Sequence, residues 1–544
     1  MSAGLGSVPA EQTYLDITQG NRVFDSLYGA TLPAARVPLN RPLRGAVVER
    51  GESAPAEIVP GLLAKTLTGV GEGFSVRSAQ PRQLPPLIRA LRGNDLLIAI
   101  ERPPPAAGRA LAIGIAGRGF DGNLTSDSTR LDGYVLSTDV APTILDRLGV
   151  AVPSQMSGQP IRSEGEVDAA AVVDLGDRLA VISERRGPAI GLSLLAWAIA
   201  LGLAVALTRG RAARPAVRLA GLAVVYLPLV LLLGAAVEPG QTAEALLAML
   251  GAPLLGALTL ALLGGYRALA TAAAFTVLAY AINVIAGSPL TSLSLLGPNP
   301  GLGVRFYGIG NELEALLAVL IVAGTGAGLA GFAPRLSRRG CAVAFLAIGL
   351  AAAFVFAAGR FGADVGAAIV FPTGAAVAAA VIAARRRRSA LLVIAAPFAM
   401  LALLALVDLV SGANAHLTRS VLDAGGLGDL ADVAQRRLQL SAHSFARPVV
   451  YVFLPLILAL AALAVARRDR LAAWVAGFPA VRAGLIGAVA ATVVGTLAND
   501  SGALLLEIGA AYLLVFTGFA WAESGLEVTD KKLQSTHHSR DISL

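Results

Sequence analysis

The residues able to do chemistry lie in three short polar islands, Arg305-Phe306-Tyr307-Gly308-Ile309-Gly310-Asn311-Glu312-Leu313-Glu314, Gly359-Arg360-Phe361-Gly362-Ala363-Asp364 and Asn499-Asp500-Ser501-Gly502. They interrupt an otherwise apolar run of chain, where ionisable groups are expensive and are kept for pairing, binding or chemistry. A carboxylate tuned by burial can act as a general base near neutral pH. Glu312 and Asp364 are therefore candidate bases, and Asp500 is a candidate for positioning a substrate hydroxyl or a cation. Arg305, Arg360 and Arg419 are candidates for holding phosphate. Tyr307, Asn311, Glu314, His416, Asn499, Ser501 and Glu507 complete the candidate binding set. Glu507 falls seven residues past Asp500, roughly 10 Å deeper along a helix, where it should face the bundle interior or a wet cavity.

Each island also has a simpler explanation as a helix cap. Asn311 followed three residues later by Glu314 is a capping-box pattern. Asp364 and Asp500-Ser501 precede apolar spans, where carboxylates suit positive helix N-termini. Capping alone needs no counter-charge, yet Arg360 stands four residues before Asp364 and Arg305 seven before Glu312. Helix N-termini opening on one face would also suit anionic groups such as phosphate. Gly308-Ile309-Gly310 lacks the preceding strand and third glycine of a dinucleotide fingerprint and reads as a tight turn.

The elements that must position these residues follow from composition. The 544 residues are 55% hydrophobic and 15% charged, with a mean hydropathy of +0.68; soluble proteins carry about 25% charged residues. The chain is read as a polytopic α-helical membrane protein with about eleven transmembrane helices and a small N-terminal α/β extracytoplasmic domain. Residues 1–187 are that domain, 188–521 the helical domain and 522–544 a disordered cytoplasmic tail. β-like runs occur at Leu96–Ile100 and Leu111–Ile115, and a helical pattern at Ala141–Leu148. Eleven stretches reach the ~20 residues a span requires: roughly 188–207, 216–237, 242–264, 268–287, 312–333, 340–358, 365–384, 389–410, 448–466, 482–498 and 502–521.

Arginines cluster after spans one, three, five, seven and nine, which makes those loops cytoplasmic and puts all three islands and the N-terminal domain outside. The net charge of +8 is then a topology signal, and no nucleic-acid partner is expected. The domain needs an export signal, and Met1–Ala30 holds no apolar h-region, so the expectation is a chain whose start is truncated. Cys341 is the one cysteine and the four histidines are His416, His443, His537 and His538, so no disulfide and no metal site is expected; the residues identify no cofactor. The loop from Ser411 to Pro448, with His416, Arg419, Asp423, Arg436, Arg437, His443 and an amphipathic run at Leu430–Leu440, is read as lying along the membrane surface, either as a solvated loop or as a lid over the cavity whose arginines read phosphate.

Leu124-Thr125-Ser126-Asp127-Ser128-Thr129-Arg130, then Gly133 through Gly149 with Ser137-Thr138-Asp139-Val140-Ala141-Pro142-Thr143-Ile144-Leu145, and Met156-Ser157-Gly158-Gln159-Pro160-Ile161, resemble the C-terminal end of an alkaline-phosphatase/sulfatase-superfamily domain. The match covers about 40 residues, counted on the sequence. The order of soluble domain, island, His416 loop and Asn499-Asp500-Ser501-Gly502 turn resembles a group of uncharacterised bacterial membrane proteins. The superfamily resemblance implies two metal ions held by Asp and His and a Ser or Thr nucleophile. This chain departs from it: no His precedes residue 416, the first strand ending in Asp-Gly is missing, and Thr13 alone stands where a nucleophile helix would open. The domain is read as a degenerate, non-catalytic relative able to bind a glycan, lipid head group or partner.

Three functions follow as expectations. One is an inner-membrane enzyme acting on a lipid-linked or phosphorylated envelope substrate at the outer face, of glycan transferase or polymerase type. The others are a proton- or cation-coupled transporter or flippase, and a membrane scaffold.

Overall fold

A computed structural model describes residues 1–4, 8–22, 48–49, 51, 57–103, 106–107, 110–303, 305–384, 386–411, 438, 441–442 and 444–540. His416, Arg419, Asp423, Arg436, Arg437, His443 and the 430–440 run apart from Leu438 lie outside the described residues. The chain divides into two compact units, Met1–Glu184 with Pro298–Tyr307, and Arg185–Gly297 with Gly308–Leu544.

The first unit mixes short helices and short strands. Its helices are α1 (Ala10–Gln19), α2 (Leu62–Val70), α3 (Leu84–Ala90) and α4 (Val140–Arg147). Its strands are β1 (Val8–Pro9), β2 (Leu96–Ile100), β3 (Ala106–Ala107), β4 (Ile113–Gly117), β5 (Asn123–Thr125) and β6 (Arg162–Glu164), paired antiparallel as β1–β3, β2–β4 and β5–β6. In β2–β4, Leu96 faces Gly117 and Ile100 faces Ile113. The Ile side chains on this ladder pack on Leu111, Val135, Val140 and Ile161, because β-branched residues suit a pleated, half-buried surface. The second expected strand thus starts two residues late, and α4 matches its expected range within a residue. On the other side of α4, Ala141 and Leu145 pack with Leu62, Leu63, Leu67 and Met156.

The second unit is helical. In chain order its helices are α5 (Ala169–Leu207, from Arg185 onward), α6 (Ala213–Gly234), α7 (Gln241–Leu263), α8 (Gly265–Ile285), α9 (Asn311–Phe332), α10 (Arg338–Ala357), α11 (Val365–Ala383), α12 (Arg386–Ser411), α13 (Val450–Ala466), α14 (Arg468–Trp474), α15 (Pro479–Ala498) and α16 (Gly502–Arg540). Nine helices among the described residues are long and apolar enough to cross a membrane, or ten if α13 and α14, bent by 78° at Arg467, form one span. The shortfall from eleven comes from two places. In α12, a helix of 26 residues, the apolar run among the described side chains is Leu391–Val407, and α13 is 17 residues long. The last helix runs to Arg540, so the stretch expected as a disordered tail is helical over 522–540.

α9 and α11 are the central helices, each with 72% of its most apolar window buried. α11 packs between α10 and α15, and α15 also lies against α9. Ala-rich faces permit this close approach, as in other membrane bundles.

Candidate functional site

The site grows from the places where α9, α11 and α16 begin. α9 starts after Gly310, which sits in extended backbone as the N-cap with no side-chain cap bond. Asn311 is therefore the first helical residue, and the expected capping box is not made, because helical geometry begins one residue early. Both side chains turn elsewhere. Asn311 Nδ2 donates to Asp500 Oδ1 at 3.1 Å, and Asn311 Oδ1 accepts from Asn499 Nδ2 at 3.2 Å. Asn499 Nδ2 also donates to Glu314 Oε2 at 2.7 Å. The first and third islands are thereby joined.

The second island joins them through backbone. Gly308 has φ +75°, and a Cβ there would run into the Gly362 carbonyl, so a side chain is excluded both by conformation and by contact. The following Ile309 N donates to that same carbonyl at 3.1 Å, and Gly308 N donates to Ser288 Oγ at 3.0 Å. Asp364 is an N-cap as expected: its Oδ1 accepts from Gly366 N at 3.0 Å at the start of α11, and the residue is buried. Glu314, 0% exposed, lays its carboxylate against Gly366, where a Cβ would collide with it. Two carboxylates thus meet the positive end of α11, the arrangement its dipole favours. Ser501 precedes the first residue of α16, and its carbonyl accepts from Leu504 N and Leu505 N. Ser501 N donates to Asn499 Oδ1 at 3.0 Å, and the exposed Asp500 carboxylate is held by Asn311.

The cation beside Glu312 is one that sequence reasoning missed. Arg186, on α5, donates from NH1 to Glu312 Oε1 at 3.2 Å, from Nε to Leu295 O at 2.6 Å and from NH2 to Gly297 O at 2.6 Å. A guanidinium fork suits three acceptors at fixed angles. The signal was present in the sequence as Arg185-Arg186 immediately before the first span. Its neighbour Arg185 pairs with the buried Glu244 at 3.3 Å.

Arg305 and Tyr307 belong to the first unit, where the Arg130 guanidinium lies 4.0 Å from the Tyr307 ring centroid. Arg360 lies 5.4 Å from the ring centroid of its neighbour Phe361, and among the described residues no ion pair joins it to Asp364. Glu507 is only partly buried and makes no hydrogen bond to Asn311, Glu314, Asn499 or Asp500. His416 and Arg419 lie outside the described residues.

In the first unit, Asp139, 0% exposed, is a hydrogen-bond hub. Its carboxylate accepts from Ser126 Oγ at 2.7 Å, Ser128 Oγ at 2.6 Å, Leu136 N at 2.9 Å and Gln159 N at 2.9 Å. Burial pushes the carboxyl above its ordinary range while these four donors pull the other way. The metal pair implied by the superfamily resemblance does not fit this donor set, since the unit has no histidine and both Asp139 oxygens are filled. Thr13 is fully buried in α1 and its hydroxyl has no hydrogen-bond partner among the described residues.

The fold and site define a polytopic helical membrane protein with a polar cluster built at three helix starts. No family model, no curated protein and no solved structure matches the chain.

Proposed function

We propose that this is a bacterial inner-membrane protein of the cell envelope whose polar cluster is an outward-facing site acting on a lipid-linked or phosphorylated substrate, in the manner of a glycan transferase or polymerase. The observation that carries the reading is the joining of three distant islands by Asn311–Asp500, Asn499–Glu314 and Ile309–Gly362. Burial divides the roles. Asp500 is exposed and oriented by Asn311, so it is the carboxylate placed to take a proton from an incoming hydroxyl. Glu314 and Asp364 form a buried floor at the α11 N-terminus. Glu312, bonded to Arg186, serves as a counter-charge. The outward orientation rests on the arginine-rich loops and on eleven spans, counting α12 and α13. The first unit would then be an extracytoplasmic, non-catalytic relative of the phosphatase superfamily.

The test replaces Asp500→Asn and Glu314→Gln in the native cell and quantifies lipid-linked envelope intermediates by mass spectrometry. Accumulation matching that of a deletion, at normal protein level, is expected. Unchanged lipid pools reject the reading.

The complete burial of Glu314 at a helix end favours a second reading, a proton- or cation-coupled transporter or flippase. In proteoliposomes carrying a trapped pH dye, proton entry that is lost in Glu314→Gln selects transport over catalysis. If both variants retain full function in the cell, the scaffold reading remains.

A further inference from the structure

From Thr68 to Asp95 no residue of the first unit is buried. Within this stretch the chain is helical over Pro81–Ala90, where a 3-10 turn leads into α3. Leu84, Leu87, Ile88 and the C-capping Leu91 recur at the spacing of one helix face. A surface helix ordinarily lays such a face on its own core, yet no residue of α3 is buried and Ile88 is 46% exposed. Ahead of the helix, Phe74 and Val76 stand exposed at 42% and 84%. Apolar side chains left uncovered together, with polar groups around them, mark an interaction surface.

Charge indicates what covers it. Between Glu72 and Asp95 the sequence holds Arg77, Arg82, Arg89 and Arg92 and no carboxylate. All four arginines are exposed, and none makes an ion pair among the described residues. Asp95 accepts from the Arg92 backbone N at 2.9 Å. A second copy of this chain is disfavoured as the cover, because a two-fold contact would set the arginines against themselves. On the helix, Arg82 and Arg89 lie two turns apart on the side away from the leucines. An apolar stripe backed by arginines is the pattern of a helix lying in a membrane interface. The first unit is joined in one chain to helices long and apolar enough to cross a membrane, so a bilayer is always within reach.

We infer that residues 74–92 dock on the anionic phospholipid surface of the bilayer that holds the helices. Phe74, Val76 and the α3 stripe enter the boundary between headgroups and acyl chains, while the four guanidinium groups meet lipid phosphates and their stems add apolar contact. A choline headgroup carries its own cation and cancels the phosphate charge, so a net-anionic headgroup such as phosphatidylglycerol is the ligand that the arginines select. The inference goes beyond the proposed activity and stands if that reading fails.

The test attaches a polarity-sensitive fluorophore at Ile88→Cys in the full-length chain whose one native cysteine is removed by Cys341→Ser. Single copies are placed in nanodiscs of phosphatidylcholine with or without phosphatidylglycerol, and lipids carrying a quencher on the acyl chain report insertion. Blue-shifted, quenchable emission is expected in the anionic discs, reverting in ~1 M salt, where the Debye length is ~3 Å. At low salt each of Arg77→Gln, Arg82→Gln, Arg89→Gln and Arg92→Gln should lower the docked-to-free ratio by about fivefold. Aqueous, unquenched emission in both compositions overturns the inference and leaves the face to an acidic protein partner. Equal quenching in the two compositions also overturns it, as does undiminished quenching when all four arginines are changed together. Should the Ile88→Cys chain fail to fold, a label at Val76→Cys, the more exposed position, decides by the same outcomes.

Discussion

Asn499→Ala removes a side chain that binds both the Asn311 carboxamide and the Glu314 carboxylate of α9. Asn499 is 6% exposed; its Nδ2 donates at 2.7 Å to Glu314 and 3.2 Å to Asn311, and its Oδ1 accepts from Ser501 N at 3.0 Å. On soluble-protein scales the two neutral bonds contribute about 1 kcal/mol each and the charged one about 1.5–3, or ~3.5–5 together. Hydrogen bonds within membrane proteins average only ~0.6 kcal/mol, which gives ~2 for three. The expected loss is therefore about 2–5 kcal/mol, read as SDS- or heat-induced unfolding of the full chain in lipid nanodiscs. A loss under about 0.5 kcal/mol, the usual size of a surface substitution, refutes the geometry. Asn499→Asp gives a sharper check, because it sets a second carboxylate against Glu314 where a donor stood, and at neutral pH it should cost at least as much as Asn499→Ala. A smaller loss than in the Ala variant sinks the contact.

Asp139→Asn, though nearly isosteric, turns an NH₂ toward two of four donors and should cost about 2–4 kcal/mol, measured by thermal unfolding with limited proteolysis of the first unit; retention of wild-type protease resistance contradicts the hub. Burial raises the Asp139 carboxyl from its ordinary 3.8, so its contribution to stability declines as pH rises from that value through the raised one, and the Asn variant should lose this slope. Gly366→Ala drives a methyl into the Glu314 carboxylate and should cost about 1–3 kcal/mol, with Glu314→Ala in the same chain restoring part of it; additive costs would show the two do not touch. Arg186→Lys cannot reach three acceptors with one ammonium, and the variant should unfold about 1–3 kcal/mol more readily than the wild type; parity in nanodisc unfolding refutes the clamp.

Apolar runs and arginine spacing made the helical bundle readable, since span length is set by the bilayer and each run carries its own signal. The short strands of the first unit were readable where Ile and Leu alternate or cluster, as in Leu96–Ile100. What could not be read was which atoms the islands would choose. Asn311 and Glu314 satisfy the capping-box spacing, yet a shift of one residue in the helix start sends both to Asn499 and Asp500, which lie 188 and 189 residues from Asn311. Local pattern cannot report a partner at that distance. Arg186 was overlooked because it precedes the first span, and its partners Leu295, Gly297 and Glu312 lie 109 to 126 residues further along the chain. The expected Arg360–Asp364 pair came from spacing alone, which ignores where each side chain points.

The long separation between Glu314 and Asn499 also bears on how the protein is made. Synthesis at about 5–20 residues per second leaves the 185 residues between them some ~10–40 s apart in emergence. During that interval α9 has been synthesised while the turn that donates to its Glu314 carboxylate has not yet been translated. Chains halted before residue 499 therefore lack the Asn499 donor that the Glu314 carboxylate accepts from in the finished fold.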